Sequence, residues 1–210
     1  MTAHTEPILA IPREQITGVV LAGGLSRRMD AHGTGTDKGL LLLGHQPMVR
    51  QVIDRLAPQV GPLLLNANRN LPTWQAFGLP VIADRIEGFA GPLAGLHAAM
   101  SCSTTPWIVT VPCDSPFLPA DLVTRLAHAV ITADAQVAMA RTGHQTHPVF
   151  ALVRAHLLTD LEAFLASGRR RIDAWTGRLH TIEVPFADEE AFVNINTPQE
   201  LQQHATRPSP

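Results

Sequence analysis

The residues best suited to chemistry in this sequence are a glycine pair, a few cations and several polar side chains that follow apolar runs. Gly23 and Gly24 close the run ITGVVL at 16–21, Arg27 and Arg28 come just after, and Lys38 stands at the far edge of AHGTGTD at 31–37. Asn66 ends the run LLLN, Asp84 follows PVIA, and Asp114 follows WIVTV inside Pro112-Cys113-Asp114-Ser115-Pro116. A nucleoside triphosphate requires close approach by backbone N–H groups, cations for its phosphates and a carboxylate to hold Mg2+. This set supplies each of them.

Two familiar nucleotide loops are excluded. Gly33-Thr34-Gly35-Thr36-Asp37-Lys38 has no glycine immediately before its lysine, and Gly39 stands where a Walker A loop needs Ser or Thr. The same stretch fails the dinucleotide fingerprint, because Lys38 takes the third glycine position and no strand leads directly into Gly33. The chain also lacks the GxSxG elbow of hydrolases.

The polar residues share a site only if strand ends bring them together. The runs at 16–21, 63–66, 80–83 and 107–111 read as short buried strands, with further strands near 136–140 and 148–152. Met48, Val49, Val52, Ile53 and Leu56 fall on one helical face behind Pro47, and helices are also expected at 93–100, 119–130 and 155–166. The last helix opens at Thr197-Pro198-Gln199-Glu200, a capping box with proline in the first position. Strands alternating with helices predict βαβ crossovers. The expected fold is α/β, a single three-layer α/β/α domain with a mostly parallel central sheet over 16–205, between flexible tails at 1–15 and 206–210. Open sheets of this kind bind ligands at the carboxyl ends of their strands, where these polar residues lie.

Composition narrows the function classes. Of 210 residues, 45% are apolar and only 16% charged, which opposes disorder, yet no apolar run reaches the roughly 18 residues of a membrane span. Lys and Arg total 16 against 18 for Asp and Glu, so no global positive field exists to hold nucleic acid or an anionic membrane. Residues 1–13 lack the basic segment and long apolar region of a signal peptide, so the expected location is the cytoplasm, and the expected state is a monomer. Cys102 and Cys113 cannot build a disulfide framework and are expected to be buried thiols. His144 and His147 read as structural or exposed rather than metal ligands, and Trp74, Trp107 and Trp175 as packing residues.

Leu21-Ala22-Gly23-Gly24-Leu25-Ser26-Arg27-Arg28-Met29, followed by Asp37-Lys38-Gly39, resembles the signature loop of the molybdenum cofactor guanylyltransferases within the wider nucleotidyltransferases. Asn66-Ala67-Asn68-Arg69, Gly91-Pro92-Leu93-Ala94-Gly95, the segment 112–116 and Phe192-Val193-Asn194-Ile195-Asn196-Thr197-Pro198 resemble further blocks of that family, in order, over roughly residues 16–202. Two departures are local: Asp30 stands where Gly is common, and 31–36 is a longer spacer before the Asp-Lys pair.

The resemblance implies a Rossmann-like nucleotidyltransferase that moves GMP from GTP to the terminal phosphate of molybdopterin and releases pyrophosphate. It implies Mg2+ held by Asp114 and phosphate contacted by Lys38, with Arg27 or Arg28 assisting and Arg28 taken as catalytic. GTP contacts fall to Leu21, Ala22, Gly23, Gly24, Asn66 and Asp84. Asp84 is open between reading guanine through its N1–H and N2–H2 donors and holding ribose or metal. Arg169, beside Arg170 and Arg171, and Asn194 and Asn196 are the molybdopterin candidates. Other cofactor-biosynthesis proteins and molybdoenzyme chaperones are the implied protein partners. Two alternatives stay open. One is a molybdopterin cytidylyltransferase or a sugar nucleotidyltransferase, whose loops carry Leu-Ala-Ala-Gly where this chain has Gly23; the other is a GTP or cofactor carrier without turnover.

Overall fold

Alternation of inward and outward side chains sends successive strand residues into two different cores. Val19 and Val20 are both fully buried, yet Val19 packs in one apolar cluster and Val20 in the other; Ile108 and Val109 divide in the same way. A strand buried on both faces is the mark of a sheet covered on both sides by helices. The computed structural model describes residues 11–23, 37–86 and 91–205.

In chain order the elements are β1 (Ile16–Leu21), β2 (Leu42–Leu43), β3 (Gln46–Pro47), α1 (Met48–Leu56), β4 (Leu63–Asn66), α2 (Leu71–Gln75), β5 (Val81–Ile82), α3 (Pro92–Cys102), β6 (Trp107–Pro112), α4 (Leu122–Thr132), β7 (Val137–Thr142), β8 (Gln145–Arg154), α5 (Leu158–Ala166), α6 (Ile172–Thr176), β9 (Thr181–Phe186) and α7 (Pro198–Ala205). Seven strands form one sheet in the order β5-β4-β1-β6-β8-β7-β9, and β2 pairs with β3 in a small separate ribbon. One face is covered by α1 and α4 through Val49, Val52, Leu56, Leu122 and Leu126. The other is covered by α3 and α5 through Leu93, Leu96, Met100, Leu161 and Phe164. The three-layer α/β/α arrangement is thus present. Trp74 and Trp175 are fully buried in these cores, and Trp107 nearly so.

The sheet is mixed. β1 pairs in parallel with both β4 and β6, and β4 with β5, but β8 runs antiparallel to β6 and to β7. The reason is the connection. Only Gly143 and His144 separate β7 from β8, with Gly143 at φ 51, and a two-residue link allows a hairpin but not the long crossover of a parallel pair. The βαβ alternation breaks at this point and parallel pairing resumes between β7 and β9, which leaves the sheet mostly parallel, as expected from sequence.

The hairpin carries a bulge. Between Met139 and Ala140 the partner on β8 jumps from Ala151 to His147, passing over Pro148, Val149 and Phe150, of which Pro148 has no N–H to offer the ladder. The carbonyl of Val149 is taken instead by the Thr110 hydroxyl, which donates over 2.6 Å.

Within the segment expected to be a tail, Arg13–Gln15 form one 3-10 turn, with Gln15 N–H donating to the Pro12 carbonyl at 2.9 Å. The expectation of two buried thiols is corrected: Cys113 is buried under the sheet edge, but Cys102, in the last turn of α3, is exposed. Among the described residues, no helix is long and apolar enough to cross a membrane.

Candidate active site

The order of strands reverses around β1. The chain adds β4 and then β5 on one side, then crosses to place β6 on the other, so the switch point where open sheets bind ligands falls at the carboxyl ends of β1 and β6. Register aligns these ends, since Leu21 stands beside Asn66 on one side and Pro112 on the other. Two backbone bonds extend the alignment: Ala22 N–H donates to the Asn66 carbonyl at 2.8 Å and Cys113 N–H to the Leu21 carbonyl at 3.1 Å. Ala22, Gly23, Asn66 and Asp114 consequently share one rim.

On the β4–β5 side a set of amides orients a carboxylate. Asn66 Nδ2 donates to Asp84 Oδ1 at 2.9 Å, and Asn68 Nδ2 donates to Asp84 Oδ2 at 2.8 Å. Asp84 N–H returns a bond to Asn68 Oδ1 at 2.8 Å. Each carboxylate oxygen keeps a second lone pair, so Asp84 is fixed in direction while still able to accept from a ligand. Asn68 is a member of this set that sequence reading did not single out, although it lies in the quoted block Asn66-Ala67-Asn68-Arg69.

Glycines make room for these amides. A Cβ on Gly23 would stand 2.9 Å from Asn68 Nδ2, and one on Gly95 would stand 2.4 Å from Asn66 Oδ1 and 2.6 Å from Leu21 Cδ2. Asn66 is itself buried, so it has little space to retreat. Gly95→Ala is therefore expected to destabilise the chain by about 1–3 kcal/mol, the usual cost of overpacking, despite alanine's better helix propensity. A thermal melt equal to or above that of the parent would refute this reading of α3.

On the β6 side, residues far apart in sequence converge. Lys38 Nζ lies 3.9 Å from Asp114 Oδ2 and donates to Asn196 Oδ1 at 2.7 Å. The Lys38 and Asp114 side chains are only 17% and 15% exposed, so water screens them weakly. Ile195 N–H donates to the Asp114 carbonyl at 2.9 Å, Ser115 Oγ donates to Asn194 Oδ1 at 2.6 Å, and Asn196 Nδ2 donates to the Asn194 carbonyl at 3.0 Å. The expected capping box also forms. Glu200 Oε2 accepts from the backbone N–H of Asn196 and Thr197, while Thr197 Oγ1 accepts from Glu200 N–H. It thereby anchors the backbone that carries Asn196.

Burial raises the pKa of Asp114, opposed by the Lys38 ammonium and by a backbone hydrogen bond to its carboxylate. Its neighbour Cys113 is pushed far up, first by burial and then by the charges of Asp114 and Asp37, and stays a thiol. A Cβ on Gly39 would meet Cys113 Cβ, Cys113 Sγ and the Trp74 ring, each at 3.0 Å. Glycine after Lys38 thus permits its backbone to lie against β6.

Lys38 is delivered by its neighbour. Asp37 is 4% exposed and accepts from Arg69 Nη2 at 3.2 Å, Asn70 Nδ2 at 3.0 Å and Trp74 Nε1 at 3.1 Å. Sequence inspection marked the Asp-Lys pair but gave Asp37 no task. The donors that define its task come from α2 and the turn before it, a short element the sequence did not advertise.

The arginine triplet is held by neighbours on the α5–α6 connection. Arg169 lies over the Phe164 ring at 4.5 Å and donates to Ser167 Oγ, Arg170 donates to the Leu165 carbonyl, and Arg171 pairs with Asp173. These partners do not join Arg169 to Lys38, Asp114 or the two asparagines. Gly24, Arg27 and Arg28 lie outside the described residues.

The model of the MobA-like NTP transferase domain matches residues 18–182. That range includes Gly23, Lys38, Asn66, Asp84 and Asp114 and stops short of Asn194. A molybdenum cofactor guanylyltransferase of Ralstonia nicotianae is 47% identical over 206 residues, covering 94% of this chain and 99% of the relative. One from Cupriavidus necator is 48% identical over 202 residues, covering 94% and 100%. Among solved structures, molybdopterin-guanine dinucleotide biosynthesis protein A from Archaeoglobus fulgidus superposes with a TM-score of 0.73 at 22% identity, over 90% of this chain and 96% of that one. That last likeness is one of fold.

Proposed function

The chain belongs to the molybdenum cofactor guanylyltransferases of the MobA-like NTP transferase family, and from that membership we infer that it transfers GMP from GTP to the terminal phosphate of molybdenum-molybdopterin, forming molybdopterin guanine dinucleotide and pyrophosphate. The observation that carries the chemistry is the meeting of Lys38 and Asp114, 3.9 Å apart, at the strand ends where nucleotides bind in open sheets.

The nucleophile is a phosphate oxygen, already an anion, so no strong general base is required. Catalysis rests on in-line positioning and on neutralising charge at the α-phosphorus and the leaving pyrophosphate. Lys38 supplies a cation whose position is fixed by Asn196 and Asp114. The turn at Leu21 to Gly23 approaches the nucleotide through its backbone, and Asn66 and Asp84 take its nucleoside end. Asp84, steadied by Asn66 and Asn68, accepts from the N1–H and N2–H2 of guanine, a donor pair cytosine lacks. Asn194 and Asn196 face the acceptor.

Asp114 is the residue to hold Mg2+. Its carboxylate is a hard oxygen donor whose burial penalty is only partly offset by Lys38 and a backbone hydrogen bond. With that carboxylate and the phosphates of the nucleotide as oxygen donors, Mg2+ would supply neutralisation of charge on the phosphates.

The test is pyrophosphate release by the full chain with Mg2+ and molybdopterin, run in parallel with GTP and CTP. GTP is expected to be the donor. Preference for CTP would overturn the guanylyl assignment, and GTP binding with no release would turn the protein into a carrier.

A further inference from the structure

We propose that Asn196 is a positioning residue that holds the Lys38 ammonium off the Asp114 carboxylate, and so keeps that carboxylate available to the divalent ion that accompanies GTP. The proposal rests on Asp114 as the metal residue, argued above, and gives the side-chain oxygen of Asn196 a task on the nucleotide side, separate from contact with the acceptor.

The distances run against simple attraction. Lys38 and Asp114 carry opposite charges on side chains only 17% and 15% exposed, so little water screens them. Left to that attraction alone, an ammonium and a carboxylate close to about 2.7–2.9 Å. Lys38 Nζ instead stands 3.9 Å from Asp114 Oδ2, beyond hydrogen-bond reach, while it donates to the neutral Asn196 Oδ1 at 2.7 Å. The closer contact goes to the amide, although a carboxylate is the stronger acceptor.

Asn196 is fastened in the pose this requires. Its Nδ2 donates to the Asn194 carbonyl at 3.0 Å, which turns Oδ1 toward Lys38. Its backbone N–H donates to Glu200 Oε2 at 2.6 Å. The preceding residue, Ile195, donates its N–H to the Asp114 carbonyl at 2.9 Å and sinks a fully buried side chain beside Leu43 and Met48. Ser115, also fully buried, donates its hydroxyl to Asn194 Oδ1 at 2.6 Å. The spacer is thus registered on the same loop that carries the carboxylate. Lys38 is held from the other direction, since Asp37 before it accepts from Arg69, Asn70 and Trp74. The gap between ammonium and carboxylate is set by anchored backbone on each side.

The consequence is chemical. A carboxylate already bonded to lysine must shed that bond before it serves a metal ion, and the affinity for Mg2+ would bear the loss. An ammonium parked on an amide beside it leaves the carboxylate oxygens open and keeps its own charge near the nucleotide phosphates.

The experiment titrates the full chain with GTP by calorimetry, once with Mg2+ and once with chelator, and takes the ratio of the two affinities as the strengthening due to the ion. No acceptor is present, so contact with molybdopterin does not enter. The ratio is expected to fall about 10- to 100-fold in Asn196→Ala, the range of one charged hydrogen bond that the ion must now displace. It is expected to stay at or above the parent value in Asn196→Asp, whose carboxylate takes the ammonium in the amide's place. Both substitutions keep the backbone N–H that Glu200 holds; should the alanine variant melt early, Asn196→Ser, one bond shorter than asparagine, is read in its stead. A parent-like ratio in Asn196→Ala, or an equal fall in Asn196→Asp, would overturn the spacer role. Asp114→Asn separates the two readings. A ratio that collapses there but holds in Asn196→Ala leaves Asp114 on the metal and removes Asn196 alone, whereas a parent-like ratio in Asp114→Asn removes the metal role of Asp114 and this inference with it.

Discussion

Asp114→Asn is expected to reduce GMP transfer by about 10^3-fold or more while melting at a higher temperature than the parent chain in the absence of metal and nucleotide. The two effects share one cause. Burial raises the folded-state pKa of Asp114 above its unfolded value even with Lys38 3.9 Å away. The native chain therefore binds a proton there more tightly, and its stability falls as pH rises from the unfolded pKa, about 3.9, through the raised one. At neutral pH the full penalty is in place, and a neutral isostere removes it. Mg2+ with GTP should then raise the melting temperature of the parent more than that of the variant, which keeps the nucleotide contacts of Asn66 and Asp84 but loses the charge that holds the ion. Calorimetry at pH 7, with chelator and then with Mg2+ and GTP, reads both effects. A variant that melts lower than the parent, or keeps pyrophosphate release within tenfold, would remove Asp114 from the metal role.

Asp37→Ala is expected to lower the melting temperature by about 6–20 °C and to impair turnover as well. The buried carboxylate collects donors from Arg69, Asn70 and Trp74. Trp74 has no exposed surface, so its indole N–H is left unsatisfied when the acceptor goes. Breaking a buried charged group out of its partners costs about 3–5 kcal/mol, and in a chain of this length each kcal/mol moves the midpoint by about 2–4 °C. Because Lys38 is the next residue, loss of the anchor also frees the ammonium from its position beside Asp114. Thermal melts and initial rates test the pair of effects together; a shift under 2 °C would mean that Asp37 does not anchor this loop.

Much of the architecture was legible because it is written in local periodicity. The run ITGVVL, the single apolar face of Met48–Leu56 and the box at Thr197 each specify their element within a few residues. The antiparallel β8 depended on a two-residue link, and the Gly143 signal was weaker than the surrounding α/β rhythm. β9 went unread because an edge strand tolerates what a central strand rejects: Glu183 and Pro185 are exposed there and break its apolar pattern. In the site, Lys38, Asp84, Asn66, Asn194, Asn196 and Asp114 stood out as polar residues at run ends or in quoted blocks. Asp37 and Asn68 lie in quoted blocks too but carried no assigned task, since each acts through partners that only the folded chain supplies. The arginine triplet shows the converse, a conspicuous charge run whose partners are a ring, a hydroxyl, a carbonyl and a neighbouring carboxylate.

The bond from Lys38 to Asn196 joins residues 158 positions apart. During synthesis the early strands emerge and begin to organise well before the asparagine that completes the lysine's surroundings leaves the ribosome. A nascent or prematurely terminated polypeptide would thus carry the nucleotide-facing turn without the finished reacting centre. The lysine's partners are complete only when the late segment folds back across the rim.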